Sequence, residues 1–137
     1  MDASVAVQWV AVESGREAAL DLLERSDLVA PDLLLVEVAN VLRRKASAGD
    51  LSSGQEQGAL AEIVKALRLE RVGKELVERA LTHARVMNHP VYDCVYIALT
   101  EQLGASFATF DGRLIARMRK HGLSELVADL PDQYVAP

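Results

Sequence analysis

Four carboxylate side chains lie where the sequence is otherwise apolar or where a helix should begin, and together they could hold a metal ion. Glu37 is the only charged residue in LLLVEVANVL, and Asp93 has similarly apolar neighbours. Asp2 precedes the largely apolar segment ASVAVQWV, and Asp111 directly follows SFATF, which is rich in β-formers. Because crowded like charges oppose folding unless a cation neutralises them, these four acids predict a metal site.

Each acid also has a purely structural explanation. Glu37 could face solvent on an amphipathic helix, since Asn40 and Arg44 fall within about 60° of it around the helix axis. Asp93 and Asp111 could interact with helix N-termini, a stabilisation of about 0.3–1 kcal/mol when exposed. These explanations treat the acids one by one, whereas a common site accounts for all four.

The residue types indicate which cation such a site would hold. Carboxylate and water ligands suit Mg²⁺ or Mn²⁺, whereas zinc usually requires His or Cys. The histidines have no ligand spacing and are interpreted as surface or packing residues: His83, His89 and His121. Cys94 is the only cysteine, which excludes an intramolecular disulfide and a cysteine-based zinc site and favours a small core residue.

Hydrophobic periodicity gives the elements that must position these acids. It predicts helices over 14–26, 31–48, 52–69, 75–87, 91–104 and 111–122, with Ser52 and Ser53 as caps of the third. Short apolar strands are predicted at 28–30, 70–72, 106–110 and 126–130. Helices that alternate with brief strands predict a central parallel sheet in a three-layer α/β/α sandwich. Functional groups in such folds collect at the carboxyl ends of the strands, where Asp111 lies.

Composition limits the class of protein. The chain has 137 residues and is expected to form one domain over 1–137. It has no apolar run of membrane-spanning length and no secretion signal, so a cytoplasmic location without membrane contact is expected. A net charge of -5 argues against broad attraction to nucleic acid but leaves room for a local basic rim. Candidates for that rim are Arg43, Arg44, Lys45, Arg113, Arg117, Arg119 and Lys120.

Five segments follow one another in a distinctive order. They are DASVAVQWV at 2–10, APDLLLVEVANVLRRK at 30–45, GDLS at 49–52, HPVYDCVYIALTEQLGA at 89–105 and FATFDGRLI at 107–115. In sequence and separation they resemble the successive motifs of PIN-domain proteins, specifically the VapC-like toxins of bacterial type II toxin–antitoxin pairs. The resemblance spans about residues 2–130.

The resemblance implies a role for each matched position. The catalytic and metal-binding acids would be Asp2, Glu37, Asp93 and Asp111. The neighbouring groups that orient carboxylates or water would be Ser4, Asn40 and Thr109. Arg44 would contact a substrate phosphate or balance the acids, although an ordinary surface arginine is the alternative.

One feature departs from the family pattern. Family members normally have several apolar residues before the first acid, and these form the central strand that aims it. Here only Met1 precedes Asp2. Either the sequence begins late relative to the natural protein or this strand is truncated, which leaves the placement of Asp2 open.

The resemblance implies Mg²⁺-dependent cleavage of RNA, with Mn²⁺ as a substitute, by a homodimeric toxin that a cognate VapB-like antitoxin inhibits. One alternative is a catalytically inactive PIN-like module that binds RNA or protein. Another is a receiver-like phosphoryl-transfer domain, which also gathers acids around Mg²⁺. The latter is disfavoured because no Lys stands at the expected place after 106–110 or 126–130.

Overall fold

The computed structural model of the protein describes residues 1–10, 16–25, 27–52 and 54–130. Seven α-helices lie within these ranges: α1 Ala3–Ala6, α2 Arg16–Arg25, α3 Leu33–Ala48, α4 Gln55–Lys65, α5 Lys74–Met87, α6 Val91–Leu103 and α7 Gly112–Lys120. Two strands are β1 Val29–Pro31 and β2 Arg68–Glu70, and 3₁₀ turns cover Val7–Trp9 and Ser124–Leu126. The protein is therefore a mostly helical α/β structure.

The described sheet is small and parallel. β1 and β2 pair in register from Val29 with Arg68 to Pro31 with Glu70. On the other side of β1, the amino group of Met1 donates to the carbonyl oxygen of Val29 at 3.1 Å. The backbone N–H of Asp2 then donates to the carbonyl oxygen of Ala108 at 3.2 Å. The start of the described chain therefore lies between β1 and the segment that leads to Asp111.

Two predicted strands are reduced to a single contact. Segments 106–110 and 126–130 meet only through an isolated parallel bridge between Phe107 and Val127. The reason is that two residues after Phe107 use their backbone N–H groups to bond side-chain hydroxyl groups. Phe110 donates to Ser4 Oγ at 2.9 Å and Asp111 donates to Thr109 Oγ1 at 3.0 Å, so these groups are not available for a ladder.

The strand predicted at 70–72 lies two residues earlier, and Pro31 ends β1 instead of starting α3. The N–H of Val72 donates to the side chain of Asp32 at 3.1 Å, which draws the backbone away from β1 after Glu70. Pro31 has no N–H to donate, which is tolerated at a strand end. The predicted alternation of strand and helix is confirmed here with shifted boundaries.

The long helices agree best with the sequence. The ends of α3 and α6 are as predicted, because Gly49 and Gly104 adopt the left-handed conformation, with φ of 87° and 58°. The predicted caps of α4 are not found: the cap position is Gly54, and Ser53 is outside the described residues. For the helix predicted at 14–26, Arg16–Arg25 is confirmed, and residues 14, 15 and 26 are outside the described part.

Helix α6 runs through the centre of the core. All seven residues from Cys94 to Thr100 are buried, and α6 packs against α5. This explains why the helix is apolar on every face. Asp93 lies in its first turn, at the edge of the core. Within the described ranges, no helix has both the length and the apolar character needed to cross a membrane.

Candidate active site

Asp2 is fixed by two hydroxyl groups. Its Oδ1 accepts hydrogen bonds from Ser4, at 3.0 Å from the backbone N–H and 2.6 Å from Oγ. Its Oδ2 accepts a bond from Thr109 Oγ1 at 2.5 Å. Burial raises the pKa of Asp2, while the bonds from Ser4 and Thr109 act in the opposite direction. The structure thus brings together the predicted acid and its two predicted hydroxyl neighbours.

Glu37 receives a hydrogen bond that sequence reasoning missed. The phenol of Tyr96, on α6, donates to Oε2 of Glu37, on α3. Burial raises the pKa of Glu37; the bond from Tyr96 opposes this shift, and the negative charges of Asp2 and Asp93 add to it. Because charges interact over short distances, these contributions indicate that Asp2, Glu37 and Asp93 share one region of the protein.

Tyr96 is itself a buried donor. Burial, the bond to Glu37 and the surrounding carboxylates raise the pKa of Tyr96 well above its usual range. The phenol therefore keeps its proton and remains a donor toward Glu37. Tyr96 lies three residues after Asp93, on the same side of the helix, and this spacing was the available signal in the sequence.

Asp93 is paired with a histidine. His89 Nε2 lies 2.7 Å from Asp93 Oδ2, and the histidine is mostly buried. The interpretation of His89 as a surface or packing residue is therefore incomplete, since it contacts a candidate catalytic acid four residues later.

Burial, with the charge of Asp93, raises the pKa of Cys94 to about 11, so this thiol stays protonated, in agreement with a core role.

Asp111 behaves as a helix cap. Its Oδ1 accepts hydrogen bonds from the N–H groups of Arg113 at 2.9 Å and Leu114 at 3.1 Å, at the start of α7. Its own N–H donates to Thr109 Oγ1, the hydroxyl that also bonds Asp2. Asp111 is thus connected to Asp2 through one buried threonine. Its side chain caps the N-terminus of α7, which is the structural explanation considered for it in the sequence.

The donor set fits a hard divalent cation in its chemistry. It consists of carboxylates, two of which have raised pKa values, so a positive charge would stabilise their ionised forms. The geometry is less complete: across the described ranges, no three Asp, Glu, His or Cys side chains are grouped as ligands of one ion. The use of all four acids as a metal site stays a prediction.

The remaining candidates lie on the surface or have another role. Asn40 and Arg44 are exposed on α3, beyond Glu37. Arg117, predicted as part of a basic rim, donates through Nη1 to the carbonyl oxygens of Met87 at 2.7 Å and Asn88 at 3.0 Å. Its contacts are with the end of α5, so its position is set by the fold.

Known proteins were compared with this chain over the region that carries the candidate site. The model of the PIN domain family matches residues 1–120, a range that includes all four acids. The chain belongs to the PIN domain family. A curated relative, Ribonuclease VapC3 of Pyrobaculum aerophilum, is 31% identical over 118 residues, covering 83% of this chain and 89% of the relative. The family predicted from the five motifs is confirmed.

Proposed function

We propose that this PIN-domain protein is a Mg²⁺-dependent endoribonuclease that acts as the toxin of a VapBC-type pair. The observation that carries the proposal is a set of hydrogen bonds that links the elements carrying the acids. Thr109 Oγ1 donates to Asp2 and accepts from the N–H of Asp111, and Tyr96, one turn after Asp93, donates to Glu37. The negative charges of Asp2 and Asp93, which help to raise the pKa of Glu37, agree with this arrangement. The relative named Ribonuclease VapC3 gives independent support for RNA as the substrate. The same proposal includes a cytoplasmic location, where RNA is available. It also includes a single domain with the three-layer α/β/α sandwich as its architecture.

The four acids would have different roles in metal binding at the phosphodiester. Asp2 and Asp93 would hold Mg²⁺, or Mn²⁺ in its place, with Glu37 and Asp111 acting directly or through water. When bound, the ion lowers the pKa of a water and offsets charge that develops on phosphoryl oxygens. The bonds from Ser4 and Thr109 keep both oxygens of Asp2 in place, so its carboxylate does not have to reorganise.

The exposed end of the pocket would receive the substrate. Asn40 lies one helical turn after Glu37 on α3 and would orient a water or a carboxylate. Arg44 lies one further turn along, where its guanidinium could pair with a phosphate of RNA. Both side chains are exposed and therefore accessible to a substrate.

Two exposed apolar side chains, each adjacent in sequence to an acid, are compatible with a protein partner. Val36, next to Glu37, is 69% exposed, and Tyr92, next to Asp93, is 61% exposed. A VapB-like antitoxin that covers the pocket would bury these side chains. A homodimer belongs to the same proposal.

A second candidate is a PIN-like module that binds RNA or protein without cleaving. It is favoured by one observation, that the described acids do not group as three ligands of one ion. Retention of all four acids favours the enzyme. The two candidates differ in a simple assay, since only the enzyme shortens RNA.

A cleavage assay with a mixed pool of cellular RNA tests the proposal. We expect the wild-type protein to cleave in Mg²⁺ or Mn²⁺ and to be inactive in excess EDTA. The Asp93→Asn variant should lose cleavage because it removes a charged ligand and keeps the side-chain volume. Glu101→Gln is the matched control, because Glu101 lies on the same helix and pairs with His83 instead. Cleavage by Asp93→Asn at the wild-type rate, or by wild-type protein in EDTA, would contradict the mechanism.

A further inference from the structure

The phenol of Tyr96 occupies an unusual place, since it joins the core to the pocket. Its residue is only 2% exposed, and its ring stacks on Phe107 with centroids 5.9 Å apart and planes at 25°. Its hydroxyl nevertheless reaches the half-buried Glu37 and donates to Oε2. A buried aromatic ring thus carries a donor to the one acid of the pocket that lies on α3.

Three parts of the fold meet at this side chain. Tyr96 is on α6, one helical turn after Asp93, and its hydroxyl contacts α3. The ring contacts Phe107, which precedes Thr109 by two residues in the segment that fixes Asp2. The side chain of Tyr96 therefore connects Glu37 to the elements that carry Asp93 and Asp2.

We propose that Tyr96 is a positioning residue, which holds the carboxylate of Glu37 in the orientation that serves a divalent ion in the pocket. The inference rests on the proposed function, because it assumes that Glu37 acts toward such an ion. A freely rotating glutamate would lose side-chain entropy each time it was ordered by an ion, whereas one held by a buried donor is already oriented.

The competing explanation is that the hydrogen bond to Glu37 only gives the buried hydroxyl of Tyr96 a partner and has no effect on ion binding. The two explanations differ in what happens when the oxygen atom alone is removed. A structural hydroxyl would change the thermal midpoint and leave ion binding unaltered, whereas a positioning hydroxyl would change ion binding through Glu37.

The test uses Tyr96→Phe, which keeps the ring and its contact with Phe107. Thr100→Val is the matched control: Thr100 is a buried residue one turn further along α6, and its hydroxyl donates to the backbone oxygen of Tyr96. Binding of Mn²⁺ alone to each protein is measured by electron paramagnetic resonance of the free ion, and RNA cleavage is measured separately.

We expect Tyr96→Phe to bind Mn²⁺ about 10-fold or more weakly, the usual scale for loss of a group that orients a ligand. Thr100→Val should bind as the wild type does. In a double-mutant cycle, Tyr96→Phe should add little to the loss already caused by Glu37→Gln, because the hydroxyl acts through that carboxylate.

Mn²⁺ binding by Tyr96→Phe within about twofold of wild type would overturn the inference, as would fully additive losses in the cycle. If the wild type binds Mn²⁺ and does not cleave RNA, the proposed function fails, and weak binding by Tyr96→Phe would still support the role of Tyr96. If the wild type binds no Mn²⁺, both fail together.

Discussion

Three of the four candidate acids contact a side chain that sets their orientation, whereas Asp111 accepts backbone N–H groups at the start of α7. Asp2 receives hydroxyl groups, Glu37 receives a phenol and Asp93 contacts an imidazole. A hydroxyl or phenol donor orients its carboxylate without bringing a positive charge, although Asp2 also interacts with the amino group of Met1. The charge that remains is what a divalent cation would neutralise, and it should be visible as a cost in the metal-free protein.

Neutralising Glu37 should therefore stabilise the metal-free protein. Glu37→Gln removes a charge that faces Asp2 and Asp93, while its amide oxygen can still accept the bond from Tyr96. We expect a gain of less than about 1 kcal/mol at neutral pH in urea unfolding with EDTA, since solvent screens this half-buried group. Glu62→Gln, in an exposed pair with Lys65, is the control.

The sign of the pH dependence follows from the raised pKa of Glu37. A group whose pKa is higher in the folded state favours folding at low pH, and this contribution is lost as the pH rises through the folded-state value. The stability of Glu37→Gln relative to wild type should therefore increase as the pH rises from the unfolded-state pKa of Glu37 through its raised folded-state pKa. A loss of more than about 1 kcal/mol at neutral pH would instead indicate a structural hydrogen-bond role for the glutamate.

At the scale of elements, α7 stabilises the turn that leads to Asp93. Helix α5 ends at Met87 and is capped by Asn88, which has a left-handed φ of 47° and is followed by His89. Arg117 of α7 donates to the last carbonyl oxygens of this helix. A cation at a helix C-terminus also interacts favourably with the helix dipole. The residue that sequence reasoning placed on a basic rim is thus part of the scaffold.

Removing this contact should cost stability. Arg117→Met keeps much of the apolar stem and removes the guanidinium, so we expect a loss of about 1–2 kcal/mol in urea unfolding. Arg113→Met changes an exposed arginine of the same helix and should stay within about 0.5 kcal/mol of wild type. Equal effects of the two substitutions would show that the contacts with Met87 and Asn88 contribute nothing.

The elements show what local sequence can and cannot predict. Helix α6 was predictable because it is a long apolar run closed by Gly104. A strand was predicted at 106–110, and its reduction to a single bridge could not be foreseen. The N–H of Phe110 bonds to Ser4, and a side-chain partner 106 residues away leaves no local pattern. The contact of Tyr96 with Glu37 was missed because the two residues are 59 positions apart, and only the spacing of Tyr96 from Asp93 was visible locally. The acids themselves were singled out because each lies within or at the end of an apolar segment, and their shared role stays a prediction.

The whole molecule has a net charge of -5, so the proposed RNA substrate would have to be attracted by local basic groups. We expect Arg44→Ala to raise KM for RNA several-fold with kcat nearly unchanged, and to lower the slope of binding against salt by about 1. Arg43→Ala is the control, because Arg43 lines the cleft between α3 and α4. Equal effects of both would mean that the general charge of α3 matters and the position of Arg44 does not.

The proposed mechanism requires acids from distant parts of the chain to share one divalent ion. Anomalous X-ray scattering from crystals soaked in Mn²⁺ tests this most directly. We expect an ion bonded to the carboxylates of Asp2 and Asp93, with Glu37 and Asp111 at most one water away. Crystals with no ion between Asp2 and Asp93, or with Mn²⁺ bound only elsewhere on the protein, would contradict the account.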